Sequence, residues 1–339
     1  MPSRRDWIKG AGIQLGALAW PSALVPSLCH AELVPSLREP RTLMGTRVDI
    51  ALESPQPDRL QPALNAAYRE MTRLSDMMNH YSPTSAVSAI NAAAGIAPVA
   101  IEAELMQVLR MAQAVSHRSQ GCFDITVASI KGWRFSNEAR SMPSPEDIVR
   151  QLPLVDYRQL VLNPREQTAF LKRQGMRIDL GGIAKIYILD AGMRVLRQQG
   201  VHSAMINGGG DVLVMGSHQG QPWRIGVRDP REPSTLIGTI ELNDGIVASS
   251  GDYERHFDHE GHRYHHILDP RTGYPTQGLR GVTLVAQRLE QINGLGAAIM
   301  VMGHEKGQSL VRHSPGLDAM WVRQNGQVWL SPGMSRKLL

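Results

Sequence analysis

Residues 176–216, MRIDLGGIAKIYILDAGMRVLRQQGVHSAMINGGGDVLVMG, decide the fold class. The stretch reads as a short strand, a glycine turn at Gly181 and Gly182 and a helix, then as a strand broken by three consecutive glycines, Gly208 to Gly210. Glycine inside a strand weakens it and marks a bulge or a ligand pressed against the backbone. Further strands follow: WRIGVRDP, STLIGTIELNDGIVASSG, and YHHILDPRTGYP, which runs into a Pro-Gly turn. Helices and antiparallel-looking strands mix here without a regular βαβ rhythm. The pattern predicts an α+β fold, with mixed, largely antiparallel sheets and packed helices, rather than a doubly wound sheet.

Upstream, a Pro-rich linker near VPSLREPR leads into TLMGTRVDIAL, which reads as a first strand. PDRLQPALNAAYREMTRLSDMMN places Leu60, Leu64, Tyr68, Met71, Leu74 and Met78 at helical spacing. The turn HYSPTS precedes a short helix ending in INAAAG, and EAELMQVLRMAQAVSHRSQG is an amphipathic helix closed by Gly121. CFDITVASI is strand-like or the start of a buried segment. Downstream, NGLGAAIMVMG and KGQSLVRHSPGLDAMWVRQNGQVWL predict a helix, a second helix and a final hairpin.

Length and composition set outer bounds. A chain of 339 residues can bury a large core. Its 42% hydrophobic and 20% charged content is that of a globular protein. Aromatics at 5% leave little material for a base-stacking surface, so no nucleic-acid partner is expected. The net charge of +5 comes from scattered Lys and Arg, and it suits an anionic small molecule as well as a nucleic acid. At the N-terminus, SRRDWIKGAGIQLGALAWPSALVPSLCHA carries the twin arginines Arg4 and Arg5 before a moderately apolar run and small residues up to Ala31. This resembles a twin-arginine export signal over residues 1–31, ahead of a domain over 32–339. A basic amphipathic starter helix is the alternative. The run is too short and too broken by Gly and Pro to span a bilayer, so no membrane anchor is expected. Cleavage after Ala31 would leave Cys122 as the one cysteine, and with it no intrachain disulfide.

Three motifs carry chemistry. In IDLGGIAKIYILD the glycines permit close backbone approach, and Lys185 sits on the first turn of the following helix, where free N–H groups and the helix dipole favour a phosphate. The glycine-to-lysine spacing is not that of a Walker A loop, and a glycine turn with a solvated lysine remains open. In INGGGDVL, Asp211 is a turn residue or a polar anchor. In YHHILDPRTG, His265 and His266 alternate across a strand, so only one of them faces a given site. A neutral histidine near a phosphorus centre can act as general base toward a hydroxyl.

Taken in order, TLMGT, YSPTSAVSAIN, GCFDITV, IDLGGIAKIYILD, INGGGDV, PWRIGVRDP, ASSGDYERHF and YHHILDPRTG resemble the ApbE family, the FAD:protein FMN transferases, over about residues 41–330. The resemblance implies that Met44 and Tyr81 pack the flavin dinucleotide, that Cys122, Phe123 and Asp124 line its pocket, and that Asp179, Lys185 and Ile267 make further FAD contacts. It implies that Ser249, Ser250, Gly251 and Asp252 stand for the family's TSGD stretch, with Ser in place of Thr, and that His266 is the base. Family members move the FMN half of FAD onto a Ser or Thr hydroxyl of an acceptor protein and release AMP. The implied partner is a periplasmic acceptor, a subunit of a membrane redox complex.

QINGLGAAIM, residues 291–300, departs from the pattern. Where the family reads roughly ADALATAL, with an Asp and a Thr that help bind Mg²⁺ alongside the carbonyl of Gly182, this chain has Asn293 and Ala297, both poor ligands for a hard cation. Ile186 replaces a usual Gly, which predicts crowding near the dinucleotide. The departures leave two readings: a flavin transferase with weakened metal dependence, or a catalytically impaired FAD-binding accessory protein of a respiratory system such as nitrous oxide reduction.

Overall fold

The structure, a computed structural model, describes residues 34–135 and 140–339; the expected export signal, 1–31, lies outside them. Its frame is an eight-stranded sheet built of β1 (Ser36–Leu43), β2 (Thr46–Glu53), β3 (Ser203–Gly208), β4 (Asp211–Met215), β5 (Gly245–Gly251), β6 (Leu279–Ala286), β7 (Asp318–Arg323) and β8 (Val328–Leu330). The strands lie side by side in chain order, and every pairing is antiparallel. The helices and small hairpins are therefore insertions between neighbouring strands. This is the expected α+β architecture.

Each face of the sheet has its own cover. Ile206, Leu213, Ile246, Ala248, Val282 and Leu284 turn into the larger core, where helices α1 (Leu60–Met78), α2 (Ala103–Arg118), α3 (Ala184–Gln198) and α4 (Leu295–Arg312) contribute. The alternate residues Val212, Val214, Val247 and Val285 pack with Trp223, Ile225, Val227 and Ile240 of the hairpin Trp223–Asp229/Glu232–Leu242. Burial on both faces explains why residues 212–215 of β4 read as a continuous apolar run rather than an alternation. Helix α1 buries Leu60, Leu64, Tyr68, Met71, Leu74 and Met78, the stripe its spacing predicts. Gly192 of α3 leaves room for Met71, whose Sδ would lie 2.7 Å from a Cβ placed there.

Several sequence expectations are corrected. TLMGTRVDIAL is two strands, not one: Met44 and Gly45, with φ of 55° and 67°, form the turn between β1 and β2. The linker near VPSLREPR is largely β1, an edge strand, where Pro40 is tolerated without its N–H. SAMINGGGDVLVMG is a hairpin, with Gly209 and Gly210 at φ of 60° and 95° in its turn. MRIDL is no strand, because its backbone bonds go elsewhere. Arg177 N–H donates to Ser129 Oγ, Ile178 N–H to Asn91 Oδ1, and Asp179 N–H to the Ile125 carbonyl. CFDITVASI becomes a 3₁₀ turn over Ile125–Ser129, because Asp124 caps it by accepting from Thr126 N–H. The two expected C-terminal helices are both present, and they meet within α4 at Gly303, whose φ of 76° and ψ of −174° are not helical. A closing helix, Pro332–Lys337, was not expected; Ser331 caps it. Among the described residues no helix is long and apolar enough to cross a membrane.

Gly209 is the glycine the hairpin turn depends on. A Cβ there would lie 2.7 Å from Thr46 Oγ1, at a positive φ that L-residues avoid. Gly209→Ala is expected to cost about 1–3 kcal/mol, the left-handed penalty plus displacement of Thr46. A lower urea midpoint with an unchanged m-value is the corresponding readout.

Candidate active site

One end of the sheet gathers the motifs. The β1–β2 turn with Met44 and the β3–β4 turn after Gly208 adjoin there, since Gly209 N–H donates to the Arg47 carbonyl. The last residues of β5, Ser249 to Gly251, reach the same end: Ser249 N–H donates to Asp211 Oδ1 at 3.0 Å. Lys185, on the first turn of α3, puts its Nζ 2.8 Å from Asp211 Oδ2. Asp211 is 4% exposed. It is thus the polar anchor rather than a plain turn residue, and Lys185 is held by it rather than free in solvent.

The glycine turn leading into α3 forms a second wall. Asp179 Oδ1 accepts from Gly181 N–H at 2.8 Å and lies 3.0 Å from His80 Nδ1. Burial pushes the Asp179 carboxyl up, but the hydrogen bond and charge of His80, with the Gly181 amide, outweigh it and hold it below the usual range. Tyr81 is 80% exposed beside His80, their ring centroids 3.8 Å apart. Gly182 and Gly294 both lie against the buried Phe123 ring, which brings the IDLGG and QINGL loops together. Helix α4 starts beside β5, where a Cβ on Gly296 would meet Ser250 Oγ at 2.5 Å. Cys122 is buried, which pushes its thiol up. Asp124 is buried too, and its carboxylate is committed inward, accepting from Thr126 N–H and Oγ1 and from Tyr157 N–H. Ile186 is 7% exposed and packs into the larger core.

The two histidines diverge, although the strand His262–His265 ends before His266, so they do not alternate across it. His265 is buried, with Nε2 2.8 Å from the Thr276 carbonyl and Nδ1 accepting from Ile267 N–H, and its role is structural. Ile267 is buried, and its carbonyl accepts from Thr276 N–H. His266 is anchored by its own N–H to the Arg255 carbonyl, while its buried Nδ1 has no partner. Burial pushes its imidazole down to about 3, reinforced by the positive charge of Arg255, by His265 and by Lys185. Asp252 follows β5; its Oδ1 is buried without a hydrogen bond, 3.7 Å from Arg263, and burial pushes its carboxyl up.

Few buried side-chain atoms lack a partner. Apart from Gln167 Oε1, every buried side-chain N or O without a hydrogen bond among the described residues belongs to His266, Asn293 or Asp252. Native structures pair nearly all such atoms, and His266, Asn293 and Asp252 are all positions that the resemblance assigns to the site.

Cation chemistry fits this set poorly. Asn293 is 1% exposed and offers one neutral amide oxygen, Ala297 a methyl group, and Gly182 only its carbonyl. No group of three His, Cys, Asp or Glu among the described residues could hold a metal. Mg²⁺ requires an octahedral oxygen set, usually anchored on carboxylate, and residues 182, 293 and 297 do not supply one.

Sequence reasoning missed His80 and Arg255. His80 adjoins the quoted YSPTS and Arg255 lies within ASSGDYERHF, so both were in view; what was absent was the knowledge that Asp179 and His266 lie close enough to feel the Arg255 charge.

The model of the ApbE family matches residues 44–321. The FAD:protein FMN transferase of Klebsiella pneumoniae is 33% identical over 292 residues, covering 85% of this chain and 90% of that protein. That of Treponema pallidum is 30% identical, covering 86% of each. Among solved structures, the ApbE protein of Thermotoga maritima superimposes with a TM-score of 0.82 at 31% identity, over 89% of this chain and 99% of that one. The flavin transferase ApbE of Vibrio cholerae gives 0.79 at 26% identity, over 90% and 100%.

Proposed function

The chain belongs to the ApbE family, and from that membership we propose that it is an FAD:protein FMN transferase acting on a protein hydroxyl. In the proposed reaction a Ser or Thr Oγ of the acceptor forms a bond to the FMN-side phosphorus, the bond from that phosphorus to the bridging oxygen breaks, and AMP leaves. His266 takes the hydroxyl proton. Lys185, set by Asp211 at 2.8 Å, and the first turn of α3 hold the phosphates. Tyr81 and Met44 pack the flavin, and Ser250 and Asp252 bound the pocket with Phe123 and Ile267. The observation that carries this reading is that the buried atoms left unpaired fall, Gln167 apart, on His266, Asn293 and Asp252, all positions that the resemblance assigns to the site.

The acceptor, on this proposal, is a periplasmic or periplasm-facing subunit of a membrane redox complex, reached after export by the twin-arginine route; Arg4 and Arg5 support that placement. The Asn293 and Ala297 pair favours weakened metal dependence. It also favours the second reading, in which the chain holds FAD for a respiratory partner without transferring FMN. Intact mass of an acceptor after incubation with FAD and this protein separates the two. A mass gain of one FMN is expected, and bound FAD with an unchanged acceptor would identify the accessory protein.

A further inference from the structure

Asn293 stands at the position where a metal-binding carboxylate was expected, and it is a group of another kind. Neither Oδ1 nor Nδ2 of its buried amide is paired. Leaving a buried donor or acceptor unmet costs about 1–3 kcal/mol, so a sequence keeps such an amide where a ligand meets it. The residue immediately precedes Gly294, the N-cap of α4, and no side chain caps that helix. The first N–H groups of α4 therefore lack intrahelical acceptors, and they favour an anion. Gly294 shares the Phe123 ring with Gly182 of the glycine turn, and Gly296 rests on Ser250. The amide thus lies in the wall of the site already described.

Charge decides what such an amide does. A carboxylate beside a pyrophosphate repels it unless a cation stands between them. A neutral amide needs no cation, and its –NH₂ donates directly to a phosphate oxygen. Ala297, one helical turn on, supplies neither charge nor lone pair, so nothing there calls for a metal either. We propose that in this chain the Asn293 amide takes the place of a divalent cation: Nδ2 donates to a pyrophosphate oxygen of the flavin dinucleotide, which binds without metal. This rests on the FAD reading above.

Calorimetric titration of FAD into the full chain, once in EDTA and once in MgCl₂, tests it. The expected Kd is the same in both to within about twofold, whereas Asn293→Asp should bind about tenfold or more weakly in EDTA. Adding Ala297→Thr to that variant should make binding recover with MgCl₂. A wild-type Kd that weakens about tenfold on chelation overturns the proposal, and that comparison needs no variant to fold. Equal FAD affinity of wild type and a folded Asn293→Asp variant in EDTA overturns the role of the amide. Absence of FAD binding in either buffer overturns the flavin reading itself, an outcome distinct from both.

Discussion

Replacing His266 with alanine is expected to slow FMN transfer to an acceptor by about 10²–10⁴-fold, the usual contribution of a positioned general base, while leaving FAD affinity close to wild type. The separation follows from geometry. His266 is held by its backbone N–H on Arg255, its side chain accepts no structural bond at Nδ1, and Lys185, the proposed phosphate contact, belongs with its anchor Asp211 to other elements. The pH profile provides a second readout. Burial, Arg255, His265 and Lys185 hold the imidazole at about 3, so the proton-accepting form persists down to that pH. The acid limb of kcat/KM, which reports the free enzyme, should then lie well below the ordinary histidine range. The limb of kcat should lie higher, because the bound dinucleotide brings negative charge to the imidazole. Stability follows the same sign. Below the ordinary histidine pKa the unfolded chain takes up a proton that the folded chain refuses, so unfolding becomes easier as pH falls toward about 3. His266→Ala should flatten that part of the slope. A variant that transfers FMN at more than about a tenth of the wild-type rate would remove His266 from the base role.

The frame was legible in the sequence because it depends on local patterns. The stripe of α1 and the alternation of Trp223–Asp229 each fix an element within a few residues. Failures came where a side chain took over a backbone bond. Asn91 binds both the N–H and the carbonyl of Ile178 from 87 residues away, and nothing in MRIDL announces it. Met44 at φ 55° gave no turn signal either, since only Gly45 of that pair is a turn residue by type. An αL methionine costs about 1–2 kcal/mol, and its place in the wall of the site fits the habit of such strain to collect where ligands bind. The site itself was legible as a set of motifs and not as a geometry. Lys185 and Asp211 were each singled out, yet their contact depends on α3 and β4 meeting at one end of the sheet.

That contact carries the second large effect. Lys185→Ala is expected to weaken FAD binding and also to destabilise the fold, because it strands the Asp211 carboxylate, 4% exposed, with only the Ser249 amide to satisfy it. Breaking a fully buried pair by removing one partner costs about 3–5 kcal/mol. The Lys185 side chain is 31% exposed, so solvent screening sets the expectation at or below the lower end of that range. The double variant Lys185→Met/Asp211→Asn removes both charges and leaves no buried ion. It should recover most of the lost stability, a coupling of about 1–3 kcal/mol in a double-mutant cycle followed by urea unfolding. FAD affinity should not recover with it. The ammonium is then gone, and with it the charge-assisted bond to phosphate, for which about 1.5–3 kcal/mol, or roughly ten- to a hundredfold in Kd, is the expected loss. If the double variant regains both stability and FAD affinity, Lys185 serves only to neutralise Asp211, and the phosphates are held by the backbone of the glycine turn and the helix N-termini alone.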